Sequence, residues 1–417
     1  MSKEKGSKKS LTGLLVTVIL LLAAAVLPLP EGVTRSGWFS LAIFFSAIVL
    51  WICDTMPMCV TAFATMFLLV VFGVMDLSTV FSSFGGSSFF FAIATFAVSI
   101  ALENTSVPLR ICNTLTKWSG GSSRRLVIML MLACALTSSV MSNLSTCIIY
   151  LGLGTALLKA NNCQPLKSNL GKCLMIGIPA TAGCGGLITP AGTPGNLLIM
   201  DLLETAGTPL SFLQWTLLFA PISILTVIIC GIWVTKIFPP EQVEPSAIAA
   251  MNQKLVEHGR LNTQEKKTIV IILAMLVCWF LGTWVPALDV TLVAVMGMAI
   301  LFLPGIRVLT WEDTVKRTNW NLVFTIGTVG VLIAGMTSTG IMDWLVNGIF
   351  SSIASWNVIA MFLVIGLVVC IIRAFIPTAP AIVALFGAPL LSLVAVAGVS
   401  PVALKMSRAG RFRSQYL

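Results

Sequence analysis

The chain has 417 residues, 57% of them hydrophobic and only 10% charged, and its mean hydropathy is +1.00. This excludes an ordinary soluble domain and implies an all-α, polytopic membrane protein, with room for roughly ten crossings at about 20 apolar residues each. Lys and Arg number 25 against 15 Asp and Glu, a net charge of +10, but the basic residues lie in short loops and at the termini, where they set membrane orientation; no nucleic-acid partner is expected.

Residues 1–10, MSKEKGSKKS, form a basic tail expected in the cytoplasm. The apolar run Leu11 to Leu29 then reads as a retained first span, because no small-residue cleavage site follows it. Further spans are expected at about 38–54 and 57–74, with Asp54 and Pro57 in their tight connection, and a fourth from about Phe84 into Lys117. Residues 126–158 are apolar but interrupted by TSSVMSNLST. Arg124 and Arg125 precede this stretch, and Lys159, Lys167 and Lys172 follow it. If both ends are cytoplasmic, the chain enters and returns on one side, as a re-entrant hairpin with its tip at Ser142-Asn143. Ser138 and Ser142, four residues apart, share one helical face. They either serve a site or merely bond back to carbonyls and fill helix contacts.

The next apolar run, Cys173 to Met200, is long enough to span but carries GCGGLITPAGTPGN, Gly183 to Asn196, at its centre. Proline removes a backbone donor and glycine weakens the helix, and in hydrocarbon the freed groups are tolerated only beside protein or a water-filled cavity. A helix broken within about 173–203 is therefore either a plain proline kink or a device of secondary transporters. In the second case N–H ends face an anion and unwound carbonyls face a cation. Because hairpin and broken helix adjoin, a shared site is expected.

A sixth span at about 211–236 leads into the polar stretch 239–267, expected to be a cytoplasmic linker with some amphipathic helix and a solvated face. The second half then repeats the first. Spans at about 268–284 and 289–304 precede a long helix that begins at Trp320 and holds Ile333 to Leu345, the counterpart of Ser99 to Cys112. The same offset separates Thr105 from Asn143 and Thr339 from Pro377, where a second polar break, RAFIPTAPA (Arg373 to Ala381), interrupts a hairpin of about 357–397. Counted through the spans, the two long helices run in opposite directions, an inverted repeat. The expected domains are a 1–10 tail, a first repeat over 11–238, the 239–267 linker, a second repeat over 268–404 and a basic tail over 405–417. Eleven cysteines, without a CxxC pair, and the lone His258 support neither a zinc site nor a Cys/His catalytic pair. Glu103 and Asp343 stand isolated near helix ends. With no paired carboxylates, nucleophile–base set or metal cluster in the spans, an enzyme is not expected; a channel, with unsaturable voltage-driven conductance, is a further alternative.

These residues resemble the divalent anion:sodium symporter family, carriers of succinate, malate, citrate and, in some members, sulfate. That family has Ser-Asn-Thr at each of two hairpin tips and a Gly-Thr-Pro-Pro-Asn-like loop in its broken helix. Here the first tip reads Ser142-Asn143-Leu144 and the loop Gly192-Thr193-Pro194-Gly195-Asn196, and the resemblance covers nearly the whole chain. It implies a secondary active transporter for a small divalent anion, C4-dicarboxylates first, coupled to sodium. The protein would sit in the lipid of the cell inner membrane as a homodimer, with an elevator motion of the hairpin domain. A sodium site is implied at Ser138, Ser142, Asn143 and the Gly192 backbone, whose oxygens suit a hard cation. Substrate contacts are implied at Ser142, Asn143, Thr193, Pro194, Asn196 and Thr378, with Asn143 and Thr378 on the substrate carboxylates; Arg373, a departure from the family, is expected to join them.

The chain departs from the family at three places. Leu144 replaces the motif threonine, with Ser145 and Thr146 nearby as substitutes, and the second tip reads Ile376-Pro377-Thr378. Arg373 falls one residue beyond Ile372, the place that matches Ser138, in a neighbourhood that helps to bind a second sodium in sodium-coupled members; it either serves the site or snorkels to the surface or pairs with an acid. An intramembrane charge is functional by default, and a guanidinium there either replaces that sodium with a tethered charge or grips a carboxylate; exchange therefore stays open beside symport. Finally, family members continue past the stretch matched by Gly398 to Leu404, whereas here KMSRAGRFRSQYL follows. A truncation or frameshift near residue 405, leaving an inactive relative, is the expectation there.

Overall fold

The computed structural model describes residues 2–205, 207–249, 253, 259–350, 358–373 and 387. Among them the regular elements are all helical. In chain order these are α1 (Ser2–Val26), α2 (Arg35–Ile52), α3 (Met58–Val71), α4 (Leu77–Ser82), α5 (Ser87–Glu103) and α6 (Val107–Thr116). Then follow α7 (Ser123–Ser138), α8 (Asn143–Ala160), α9 (Asn169–Gly185), α10 (Pro194–Thr205) and α11 (Phe212–Ile237). The second half supplies α12 (Thr263–Leu281), α13 (Val290–Phe302), α14 (Trp311–Arg317), α15 (Trp320–Ser338), α16 (Ile341–Phe350) and α17 (Val358–Arg373). Lys8–Val26, Arg35–Ile52, Leu77–Glu103, Asn143–Ala160, Phe212–Ile237 and Trp320–Ser338 are long and apolar enough to cross a membrane, so this is a multi-pass membrane protein. The second hairpin tip and the tail over 405–417 lie outside the described residues.

The chain divides into two compact units, Met1–Phe89 with Leu198–Pro209 and Asn319–Leu417, and Phe90–Leu197 with Leu210–Thr318. In the first, α2 is buried along most of its length and packs against α1, α3, α15 and α16. Thr34 caps it by accepting the N–H of Gly37 at 3.1 Å. Asp54 turns the chain at φ +48°, ahead of Pro57 at the start of α3. In the second unit α7 packs against α6, α8, α9 and α11. Leu126, Leu130, Met131, Cys134, Tyr150, Leu153, Leu174 and Ile178 form the core there, all 3% exposed or less.

Two expectations change. The long helix from Phe84 into Lys117 is broken over residues 104–106, because Pro108 sits in the first turn of α6 and the Ser106 N–H bonds to Glu265 (2.6 Å) instead of continuing the ladder. The helix from Trp320 breaks likewise, at Gly340 with φ +70°, so the two stretches matched in sequence are interrupted alike. The 239–267 stretch is also more than a solvated face. Val243 and Ala247 are buried in the core beside α7, and Ser123 Oγ accepts the Val243 N–H at 2.9 Å. Glu241 accepts N–H bonds from Asn169 and Leu170, both 2.7 Å, at the start of α9. Burial pushes that carboxyl up, but these bonds and the Ser168 hydroxyl outweigh it and hold it below its ordinary value.

Candidate functional site

Four residues, 139–142, separate α7 from α8. At 18 residues α8 has the length to cross by itself, so re-entry rests on the basic residues at both ends. Ser138, the last residue of α7, is fully buried, and its Oγ lies 2.7 Å from Asn143 Oδ1 and 2.8 Å from the carbonyl oxygen of Ala182. A hydroxyl has one proton, and here it faces two acceptor oxygens. Either the Asn143 amide presents its oxygen, giving an oxygen-rich cluster suited to a hard cation, or it turns its nitrogen inward and the cluster is satisfied internally. A cation held between Ser138 Oγ, Asn143 Oδ1 and the Ala182 carbonyl would meet neutral oxygens, and among the described residues no group of three His, Cys, Asp or Glu side chains could hold a metal.

Ser142 is the half-buried N-cap of α8, and its N–H donates to Ser99 Oγ at 2.9 Å. Asn143 opens the helix, whose first-turn N–H groups lack intrahelical acceptors and favour an anion. Leu144, where the motif has threonine, is 63% exposed, while the hydroxyl of Thr146 is buried without a hydrogen-bond partner among the described residues.

The broken helix faces this tip. α9 ends at Gly185, a 3-10 turn covers Pro190–Gly192, Thr193 is extended and α10 starts at Pro194. Each carbonyl freed at Gly186, Leu187 and Thr189 finds a donor in protein, as the interior of a membrane requires. Asn196, only 1% exposed, donates its amide to Gly186 O (2.8 Å) and Thr189 O (2.9 Å), and Trp215 Nε1 donates to Leu187 O at 3.0 Å. The Thr189 hydroxyl bonds to the Ser139 carbonyl and so ties loop to tip. Glycine is needed by proximity here: a Cβ at Gly185 would enter the backbone of Ala135, and one at Gly186 would strike the Asn143 amide.

Ser138 and Asn143 thus touch, Asn143 lies against Gly186, and Gly186 backs onto the buried Gly192. Thr193 and Pro194 are half-buried at the start of α10, and Asn196 braces the break. Arg373 is the last residue of α17; its side chain, and Thr378 entirely, lie outside the described residues. Sequence reasoning missed the Ala182 carbonyl, for which a backbone atom leaves no sequence signal. It also missed Ser99 and Thr189 as partners of the tip, although both stand in stretches whose polar breaks mark them out.

Residues 8–410 match the family described as the sodium:sulfate symporter transmembrane region. The sodium-dependent dicarboxylate transporter SdcS of Staphylococcus saprophyticus is 25% identical over 80% of this chain and 69% of its own length. The same-named protein of Staphylococcus aureus is 23% identical over 82% of this chain and 70% of its own. YflS of Bacillus subtilis, provisionally named a malate transporter, is 25% identical over 98% of this chain and 87% of its own. A family match across nearly the whole chain, with these relatives, leads to one conclusion: the chain belongs to the sodium:sulfate symporter family of divalent anion:sodium symporters and is a membrane transporter, not an enzyme.

Proposed function

We propose that the protein is a secondary active transporter that carries a small dianion, a C4-dicarboxylate first, into the cell by sodium-coupled symport. The observation behind this is the convergence of Ser138 Oγ, Asn143 Oδ1 and Ala182 O within 2.8 Å of the serine oxygen, where the hairpin tip meets the broken helix. Neutral oxygens hold sodium, and the adjacent N-terminus of α8 favours a carboxylate. The names of the two Staphylococcus relatives support a dicarboxylate with sodium, and that of the Bacillus relative a dicarboxylate.

Ser142, Asn143, Thr193, Pro194, Asn196 and Thr378 are the proposed substrate contacts, with Ser138, Ser142, Asn143 and the Gly192 backbone proposed for sodium. Basic residues 1–10 and the Arg124–Arg125 and Lys159–Lys172 clusters support a cytoplasmic N-terminus, in the inner membrane, and a hairpin that returns to its own side. The family resemblance supports a homodimer and an elevator motion.

Arg373, at the end of an apolar helix, favours a second reading, dianion exchange. Labelled-succinate uptake into proteoliposomes separates the two. Under symport an inward sodium gradient drives accumulation; under exchange internal succinate drives it without sodium. Unsaturable flux in both conditions would indicate a channel and overturn both.

A further inference from the structure

The hairpin tip is held from outside the hairpin. The Ser142 N–H donates to Ser99 Oγ at 2.9 Å, and Ser99, in α5, is 3% exposed. The proton of Ser99 in turn goes to Oε1 of Glu103, one helical turn on, at 3.4 Å. The other carboxylate oxygen of Glu103 is ion-paired with Nη2 of Arg317 at the end of α14. Arg317 Nη1 also donates to Asn104 Oδ1 at 2.8 Å and to Asp313 Oδ2 at 3.3 Å. Each group in this chain plays a role its chemistry allows: the guanidinium only donates, the carboxylate only accepts, and the hydroxyl does one of each.

A hydroxyl that gives its proton to a carboxylate becomes a better acceptor, so Glu103 strengthens the grip of Ser99 on the tip. The gripped residue, Ser142, precedes Asn143, whose amide touches Ser138. We infer that Ser99 and Glu103 are positioning residues for the ion site: they fix the Ser142 backbone, and with it the placement of the Asn143 oxygen, without touching ion or substrate. This rests on the proposed sodium site. Arg317 orients Glu103, but its side chain is 33% exposed, and partly solvated pairs contribute little by themselves.

The test is the sodium-activation curve of succinate uptake in proteoliposomes for wild type, Ser99→Ala, Ser99→Thr, Glu103→Ala and Glu103→Gln. Losing one buried hydrogen bond predicts that Ser99→Ala raises the half-activating sodium concentration about fivefold, with turnover at saturating sodium within about twofold of wild type. Ser99→Thr, which keeps the hydroxyl, and Glu103→Gln, which keeps an acceptor, stay near wild type, and Glu103→Ala follows Ser99→Ala. A merely structural serine would lower the amount of folded protein or the maximal rate and leave the sodium midpoint in place; that result overturns the inference. If Ser99→Ala is not recovered from the membrane, the Glu103→Ala midpoint decides in the same way. A wild-type protein indifferent to sodium overturns the sodium site itself, and the inference with it, before any variant is compared.

Discussion

Gly186 shows how narrowly the site is defined at the scale of one residue. Its missing side chain is the space into which the Asn143 amide fits, and that amide in turn lies 2.7 Å from the Ser138 hydroxyl oxygen. Gly186→Ala adds one methyl group, but that methyl lands on the amide and must turn or push it. We expect sodium-dependent uptake to fall at least tenfold at unchanged protein level, since overpacking of about 1–3 kcal/mol is concentrated on one proposed ligand, Asn143. Gly183, two residues before Gly185 in the same glycine run, has open space where its Cβ would lie, so Gly183→Ala is the matched control and should transport normally. Uptake assays on the two variants, alongside their yields from the membrane, check this pair. Arg373→Ala belongs at this scale too: the exchange reading, in which the guanidinium serves the dianion site, expects it to abolish dianion uptake, and unchanged uptake would remove Arg373 from the site.

At the scale of elements, the break between α5 and α6 is fastened by charge. Glu265 accepts the N–H groups of Ser106 (2.6 Å) and Asn262 (2.8 Å), while Arg110 donates to the Ser106 hydroxyl at 2.9 Å. Burial pushes the Glu265 carboxyl up, but these bonds and the nearby guanidinium outweigh it and leave it below its ordinary value of 4.5. A lowered folded-state pKa favours the ionised form on folding. The stability this adds is therefore present above pH 4.5 and is lost as pH falls through the folded-state value. Thermal unfolding in detergent should show wild type losing stability over that window, and Glu265→Gln, which has no proton to gain, losing less. Glu265→Ala leaves the buried Ser106 N–H unmet and should cost about 2 kcal/mol at neutral pH. Between α7 and α9 contact is closer still: Gly185→Ala drives a Cβ into the Ala135 backbone, which cannot turn aside, and we expect a poor yield of folded protein.

For the whole molecule, the legible features were those written locally. Apolar runs such as 38–54 and 211–236 marked helices, Arg35–Ile52 and Phe212–Ile237, to within a few residues, and the clustered Gly and Pro of Gly183 to Asn196 marked a helix that does break, at 186–193. The same local cue was present at Thr105-Ser106-Val107-Pro108 but was outweighed by the apolar run around it, so one long helix was expected where two stand. What stayed hidden depends on distance along the chain. The Arg317–Glu103 pair joins residues 214 apart, and Glu265 meets Ser106 across 159. Val243 and Ala247 look like ordinary linker residues until the core beside α7 covers them. The candidate site was half legible for the same reason: its candidate side-chain ligands are coded by residue type, whereas the Ala182 carbonyl could belong to any residue placed there.

The most direct measurement is the sodium-activation curve of labelled-succinate uptake, taken side by side for wild type and Ser138→Ala in proteoliposomes of matched protein content. If Ser138, Asn143 and the Ala182 carbonyl hold the coupling ion, wild type shows a saturable dependence on sodium. Ser138→Ala then needs at least tenfold more sodium for half-activation or loses sodium dependence altogether. Superimposable curves would contradict an ion site at the hairpin tip.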